Sequence, residues 1–167
     1  LMLTVPTSVL AKAKEDVDLI QAIKNVDVEA VRALLDQGVD VNERSVDGSS
    51  ALHWAVYRNN PVLTKLLLDA GADEMFGNRY GVQPLSLASL NGNVEILELL
   101  LESGADPNTS VGGGETALMT ASRAGNPDVV RVLVRYGADV NASDEINGQT
   151  ALMWAAAEGD AETIHVL

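Results

Sequence analysis

Gly38, Gly71, Gly104 and Gly137 stand 33 residues apart, and each opens one phrase: Gly-Val-Asp once, then Gly-Ala-Asp three times. A second phrase keeps the same pace between them: SALHWA at 50–55, QPLSLA at 83–88, TALMTA at 116–121 and TALMWA at 150–155. A fixed period of this length means one supersecondary unit stacked on copies of itself, each covering apolar surface that its neighbour cannot bury alone. The period points away from a globular enzyme with a single central core.

The punctuation inside each unit predicts two short helices. Asp27, Asn60, Asn93, Asn126 and Asp160 share one register position and are all good N-caps for the second helix. Pro61 and Pro127 follow them in the first turn, where a missing N–H costs nothing. Glu29, Glu95, Asp128 and Glu162 come next and favour the positive end of the helix dipole. The glycine of each Gly-x-Asp phrase supplies the left-handed residue that stops the helix. Runs such as Leu66-Leu67-Leu68 and Leu99-Leu100-Leu101 then form the core between units. In the first unit, helices are expected over Leu19 to Asn25 and Val28 to Gln37.

The second phrase carries a resemblance. Ser50-Ala51-Leu52-His53, Gln83-Pro84-Leu85-Ser86, Thr116-Ala117-Leu118-Met119 and Thr150-Ala151-Leu152-Met153 are fragments of a Thr-Pro-Leu-His signature, and Ala55, Ala88, Ala121 and Ala155 follow without exception. With its 33-residue period, the chain resembles the ankyrin repeat family over about residues 17–167. The resemblance implies an all-α solenoid of about five stacked units, each a β-turn followed by helix–turn–helix, at about 17–44, 45–77, 78–110, 111–143 and 144–167, the last truncated.

Three departures from the period carry expectations. Gly114 to Gly148 is one residue too long, which places an insertion in the turn Asp144-Glu145-Ile146-Asn147-Gly148. Met75 stands where Asn42, Asn108 and Asn141 stand. In this family that Asn satisfies loop backbone groups, so the loop is expected to be looser or to bury its Met75-Phe76 pair. Val26 replaces Gly92, Gly125 and Gly159 between the two helices; Asn59 also replaces them, but Asn accepts a left-handed backbone and Val does not. The turn of unit one is therefore expected to differ.

Residues 1–13 read as the back half of a secretory signal peptide, an apolar run closed by Ala11-Lys12-Ala13, or as a disordered or capping arm. The first reading starts the mature repeat domain, residues 14–167, near Lys14 and predicts a periplasmic or secreted protein, with the cytoplasm as the alternative. The phrases of units four and five also resemble those of exported bacterial ankyrin proteins. The last unit lacks its closing Gly-x-Asp phrase and a polar capping helix, so the natural protein is expected to continue past Leu167.

Chemistry is sparse. The chain has no cysteine, which excludes disulfides, thiolate nucleophiles and thiolate metal sites. A net charge of −13 argues against nucleic acid as a partner. No stretch approaches the ~20 apolar residues of a membrane span. His53 belongs to the signature, where the imidazole bonds the neighbouring turn, and His165 has no evident partner. The stretch from Asp139 to Asp144 begins like a calcium loop but has Asp144 at the sixth position and Thr150 at the twelfth, so it reads as a junction between units. Gly112-Gly113-Gly114 lacks the Lys-Ser/Thr of a phosphate cradle and reads as a turn tip. No catalytic constellation, metal site or cofactor site is expected.

The resemblance also implies a binding surface. In ankyrin proteins the turns form fingers and the first helices line a concave palm that holds another protein. Carried over position by position, unit two offers Val46, Asp47 and Ser49 on its finger and Trp54, Tyr57 and Arg58 on its palm. Unit three offers Arg79, Tyr80 and Val82, then Leu87, Leu90 and Asn91; unit four Gly113, Glu115, Thr120 and Arg123; unit five Asn147, Gln149, Trp154 and Glu158. Trp54, Tyr57 and Arg58 share a helical face by their i, i+3, i+4 spacing. Trp, Tyr and Arg dominate binding hot spots, though Trp54 and Trp154 alternatively fill space between units. The partner-binding candidates are Trp54, Tyr57, Arg58, Arg79, Tyr80, Leu87, Leu90, Arg123 and Trp154. The expected function is a monomeric, non-catalytic protein-interaction module. The alternative is the ankyrin segment of a larger enzyme or transporter whose active site lies elsewhere.

Overall fold

A computed structural model describes residues 18–167; the signal-peptide or arm reading of residues 1–13 falls outside them. Ten helices occur among the described residues, in five antiparallel pairs: α1 Leu19–Lys24 with α2 Val28–Asp36, α3 Ala51–Tyr57 with α4 Pro61–Asp69, α5 Pro84–Asn91 with α6 Val94–Ser103, α7 Ala117–Arg123 with α8 Pro127–Arg135, and α9 Ala151–Glu158 with α10 Ala161–Val166. The first helices of successive units touch one another in one row, and the second helices in another. The core lies between the rows, where Ile23, Leu52, Leu63, Leu67, Leu85, Ile96, Leu97, Leu100, Leu118 and Leu133 are fully buried. No described helix is long and apolar enough to cross a membrane.

Local chemistry explains the boundaries. Ser50, Thr116 and Thr150 cap their first helices by accepting the N–H three residues on. Asp27, Asn60, Asn93 and Asp160 cap the second helices in the same way. Asn126 is the exception: its side chain makes no cap bond and instead donates through Nδ2 to Ser89 O of the preceding unit, 3.4 Å away. Pro127 already removes one free N–H at that terminus. Turns precede the first helices from unit two onward, closed by Ser45 N to Ser49 O, Asn78 N to Val82 O, Val111 N to Glu115 O and Asp144 N to Gln149 O. The Gly112–Gly114 stretch lies in the third of these, as a turn.

The three departures resolve in different ways. The inserted residue of unit five is absorbed by Asp144, whose carboxylate accepts the N–H groups of Ile146, Asn147 and Gln149. Those bonds, Asn147 first, hold its pKa below the usual carboxylate value. The residue that departs from the calcium-loop pattern at its sixth position is thus the organiser of a turn.

The loop residues Asn42 and Asn108 each tie one unit to the next: Nδ2 donates to Gly71 O or Gly137 O, and Oδ1 accepts from Asp73 N or Asp139 N. Met75 keeps half of that link, its sulfur accepting Asp106 N at 3.4 Å, but offers no donor in return. The Met75-Phe76 pair does not bury itself. Met75 stays exposed, and Phe76 is half-buried with the Arg44 guanidinium 3.6 Å from its ring centroid.

Val26 corrects the expectation for unit one. Its φ is +58°, beside +53° at Asn59 and +69° to +73° at Gly125, Gly159 and Gly92. The left-handed residue recurs in every unit, and the bonding of the turn is shared by units one, two, four and five, while in unit three Gly92 N donates to Ala88 O. Val26 N donates to Ile23 O and Asp27 N to Ala22 O, the same pair of bonds that Asn59 and Asn60 make to Val56 O and Ala55 O. Backbone pairing and the burial of Ala22 and Ile23 override the local preference of a β-branched residue.

Candidate functional site

The first-helix row and the turns above it place the predicted residues in two separate groups. The larger group centres on Trp54 of α3, which is half-buried and packed against the core. Tyr57, one turn on, meets it edge to face, with ring centroids 5.7 Å apart at 83°. Lys24 at the end of α1 sets its ammonium over the Trp54 ring, 4.1 Å from the centroid. Arg58, the residue that closes α3, donates from Nη2 to Lys24 O at 2.5 Å. From the finger above, Arg79 donates from Nη2 to Val46 O, and its backbone N–H to Asp47 O at 3.0 Å, locking the turns of units two and three together. Lys24, Ser45, Val46, Asp47, Trp54 and Arg79 line a cleft of about 350 Å³ between finger and helix.

Trp54 is therefore both filler and surface: it packs on the core and walls the cleft. Its Nε1 is buried without a hydrogen-bond partner, the only such side-chain atom among the described residues. Tyr57 is 62% exposed, Tyr80 74% and Val46 89%. Tyr80 and Val46 project from neighbouring fingers with no packing that accounts for them.

The charges of this face are unevenly neutralised. Lys24, Arg58 and Arg79 make no ion pair among the described residues. On the second helices Lys65 pairs with Asp69, Arg131 with Asp128 and Glu162, and Arg135 with Glu98, while Arg32 makes no ion pair among the described residues. Asp47 is the carboxylate that lines the cleft. Ser45 Oγ, Ser49 N–H and Ser49 Oγ all donate to it, and these bonds, Ser45 first, pull its pKa down to about 2. It remains ionised but is bonded into its own finger.

His53 sits beneath, nearly fully buried. Its Nδ1 accepts Ser50 N–H at 3.2 Å, and its Nε2 lies 3.0 Å from Val82 O of the next turn. A carbonyl can only accept, so the ring is neutral with its proton on Nε2. Burial pushes its pKa down. His53 fixes one turn to the next and does not reach the cleft.

The second group lies in units four and five. Arg123 pairs with Glu115 at 3.1 Å and lies 5.8 Å from the half-buried Trp154 ring. Thr120 Oγ1 donates to the same Glu115 oxygen. This arginine is neutralised where those of units two and three are not. Leu87 and Leu90 come between the groups, the first half-buried and the second 51% exposed, and Asn91 turns its amide back to Val56 O.

Lys24 is the residue that the sequence reading missed. It stands 33 positions before Tyr57, in the register of Leu90 and Arg123, so the period itself marked it as a palm position. Unit one escaped attention because no leading turn was legible there.

Among families of known proteins, the one described as "Ankyrin repeats (3 copies)" matches over residues 19–111 and 110–167. A search of curated proteins gives no match.

Proposed function

Because the chain belongs to the ankyrin repeat family, whose repeats generally act as protein–protein interaction modules, we propose that it binds a partner protein through the first-helix face of units one to three, without catalysis and as a monomer. One observation carries the placement. Trp54 and Arg79 line one cleft with Lys24 and the exposed Val46, Tyr57 packs on Trp54 and Arg58 bonds Lys24 O beside it, and Tyr57 and Tyr80 stay exposed. Aromatic and arginine side chains held at a partly desolvated centre are where binding energy concentrates. On the second helices Arg131 and Arg135 are ion-paired, and α6 carries a row of acidic residues, Glu95, Glu98 and Glu102.

Affinity capture from the native source tests the reading. The wild type is compared with a Trp54→Ala, Tyr57→Ala, Arg58→Ala variant and an Arg131→Ala, Arg135→Ala variant, each shown to be helical by circular dichroism. The expected result is a protein retained by the wild type and the second variant and lost by the first. Retention by all three alike sinks the placement.

A further inference from the structure

We propose that the partner presents an acidic segment to this face, with carboxylate side chains meeting Lys24 and Arg79 in the cleft and Arg58 beside it; the inference rests on the palm reading above and names the chemistry of its ligand. Lys24 and Arg79 line the cleft against the single carboxylate of Asp47, Arg58 is bonded to Lys24 O beside it, and none of the three cations has a carboxylate partner among the described residues. The chain carries a net charge of −13, and four of its other cations, Lys65, Arg123, Arg131 and Arg135, are paired with carboxylates, while Arg32 and Arg44 are not among the described residues. Association leaves a like-charged or neutral segment with nothing to offset the three cations of this face, whereas an acidic segment meets complementary charge.

The cations are also held in place. The Arg58 guanidinium is fixed by Lys24 O and that of Arg79 by Val46 O, each through one nitrogen. A guanidinium has five N–H donors in a rigid fork, so both keep donors for a carboxylate, and little side-chain freedom remains to be lost on binding. Lys24 is braced over the Trp54 ring. The cleft is open to solvent and walled on one side by the finger residues Ser45, Val46 and Asp47, so a segment of a partner chain can reach these cations.

The experiment is selection of phage-displayed short random peptides on the intact chain at low ionic strength. Synthetic copies of the enriched peptides are then tested on variants that fold. Enriched peptides are expected to carry an excess of Asp and Glu and to weaken as salt is raised. They should lose about tenfold or more in affinity on Arg58→Ala, Arg79→Ala and keep their affinity on Arg131→Ala, Arg135→Ala. Lys-for-Glu versions of the same peptides should prefer an Arg58→Glu, Arg79→Glu variant to the wild type. Enriched peptides that are neutral or basic, yet are lost on Trp54→Ala, Tyr57→Ala, overturn the acidic ligand and leave the palm reading standing. Peptides that bind every variant equally overturn both. Absence of any acidic enrichment also overturns the inference.

Discussion

Replacing Val26 by glycine or asparagine should stabilise the protein. Val26 has φ +58° and is 42% exposed. A left-handed backbone costs an L-residue ~1–2 kcal/mol, with β-branched residues towards the upper end. Glycine removes that strain but adds about 0.4–1 kcal/mol of unfolded-chain entropy. It also gives up the half of the valine surface that is covered, roughly 0.5 kcal/mol. With the strain near 2 kcal/mol, the net gain is about 0.5–1 kcal/mol for Val26→Gly. Val26→Asn should gain at least as much, because Asn59 holds the same conformation at +53° and asparagine carries no glycine entropy.

The reporter already exists next door. Trp54 lies beneath Lys24 of unit one, so with Trp154 changed to Phe its fluorescence follows the junction of units one and two. With a urea slope of ~1–3 kcal/mol per molar, the midpoint should rise by about half a molar. Repeat arrays can lose a terminal unit before the rest. Amide exchange in α1 is therefore the second readout, and it should slow about fivefold, the equivalent of 1 kcal/mol. If both substitutions lower the midpoint and speed exchange in α1, the positive φ at Val26 carries no strain and the reasoning fails.

Other substitutions test the stack. Leu67→Ala and Leu100→Ala, both at fully buried positions between units, should each cost ~2–5 kcal/mol in chemical denaturation; a cost near zero would mean that the units are not packed there. Met75→Asn should add about 0.5–1.5 kcal/mol by supplying the missing donor to Gly104 O, seen as a raised midpoint and slower exchange at Ala105 and Asp106. His53 has its folded pKa below the ordinary 6.5, so the unfolded chain takes up the proton first. Its contribution is complete above about pH 6.5 and is lost as pH falls through the folded value. Denaturation midpoints measured across about pH 5–7 should fall in the wild type and fall less in His53→Gln; equal slopes would remove His53 from the acid response.

The stack was legible because its physics repeats. Each unit must bury the same Leu and Ala against a copy of itself, so Leu52, Leu85 and Leu118 recur with Ala55, Ala88 and Ala121, and all are buried. Caps were legible for the same reason, since a free helix N-terminus needs an acceptor in every unit. What failed was inference from one residue's own preference where bonds to the rest of the stack decide. Val26 looked incompatible with a left-handed turn, but the bonds to Ala22 O and Ile23 O impose one. Asn126 looked like a cap, but its amide reaches back to Ser89 O. The convergence of Lys24, Arg58 and Trp54 joins residues of two units, and no single-unit pattern contains it.

That division follows from what each register position faces. Along one palm column the chain reads Lys24, Tyr57, Leu90 and Arg123, four unlike side chains on an unchanged scaffold. The column can vary because it costs the fold little: substitutions at exposed positions usually shift stability by less than about 0.5 kcal/mol. Arg58 is an exception in part, since its guanidinium ties α3 to the last carbonyl of α1. Glu115 shows the converse, neutralising Arg123 and taking unit four out of the cationic surface with one residue. On the proposed reading the solenoid separates the determinants of folding from those of recognition by column, so loss of binding on changing the exposed Tyr57 or Tyr80 is readable as loss of contact. A partner footprint should accordingly follow the palm and finger columns of units one to three and end where Arg123 meets Glu115.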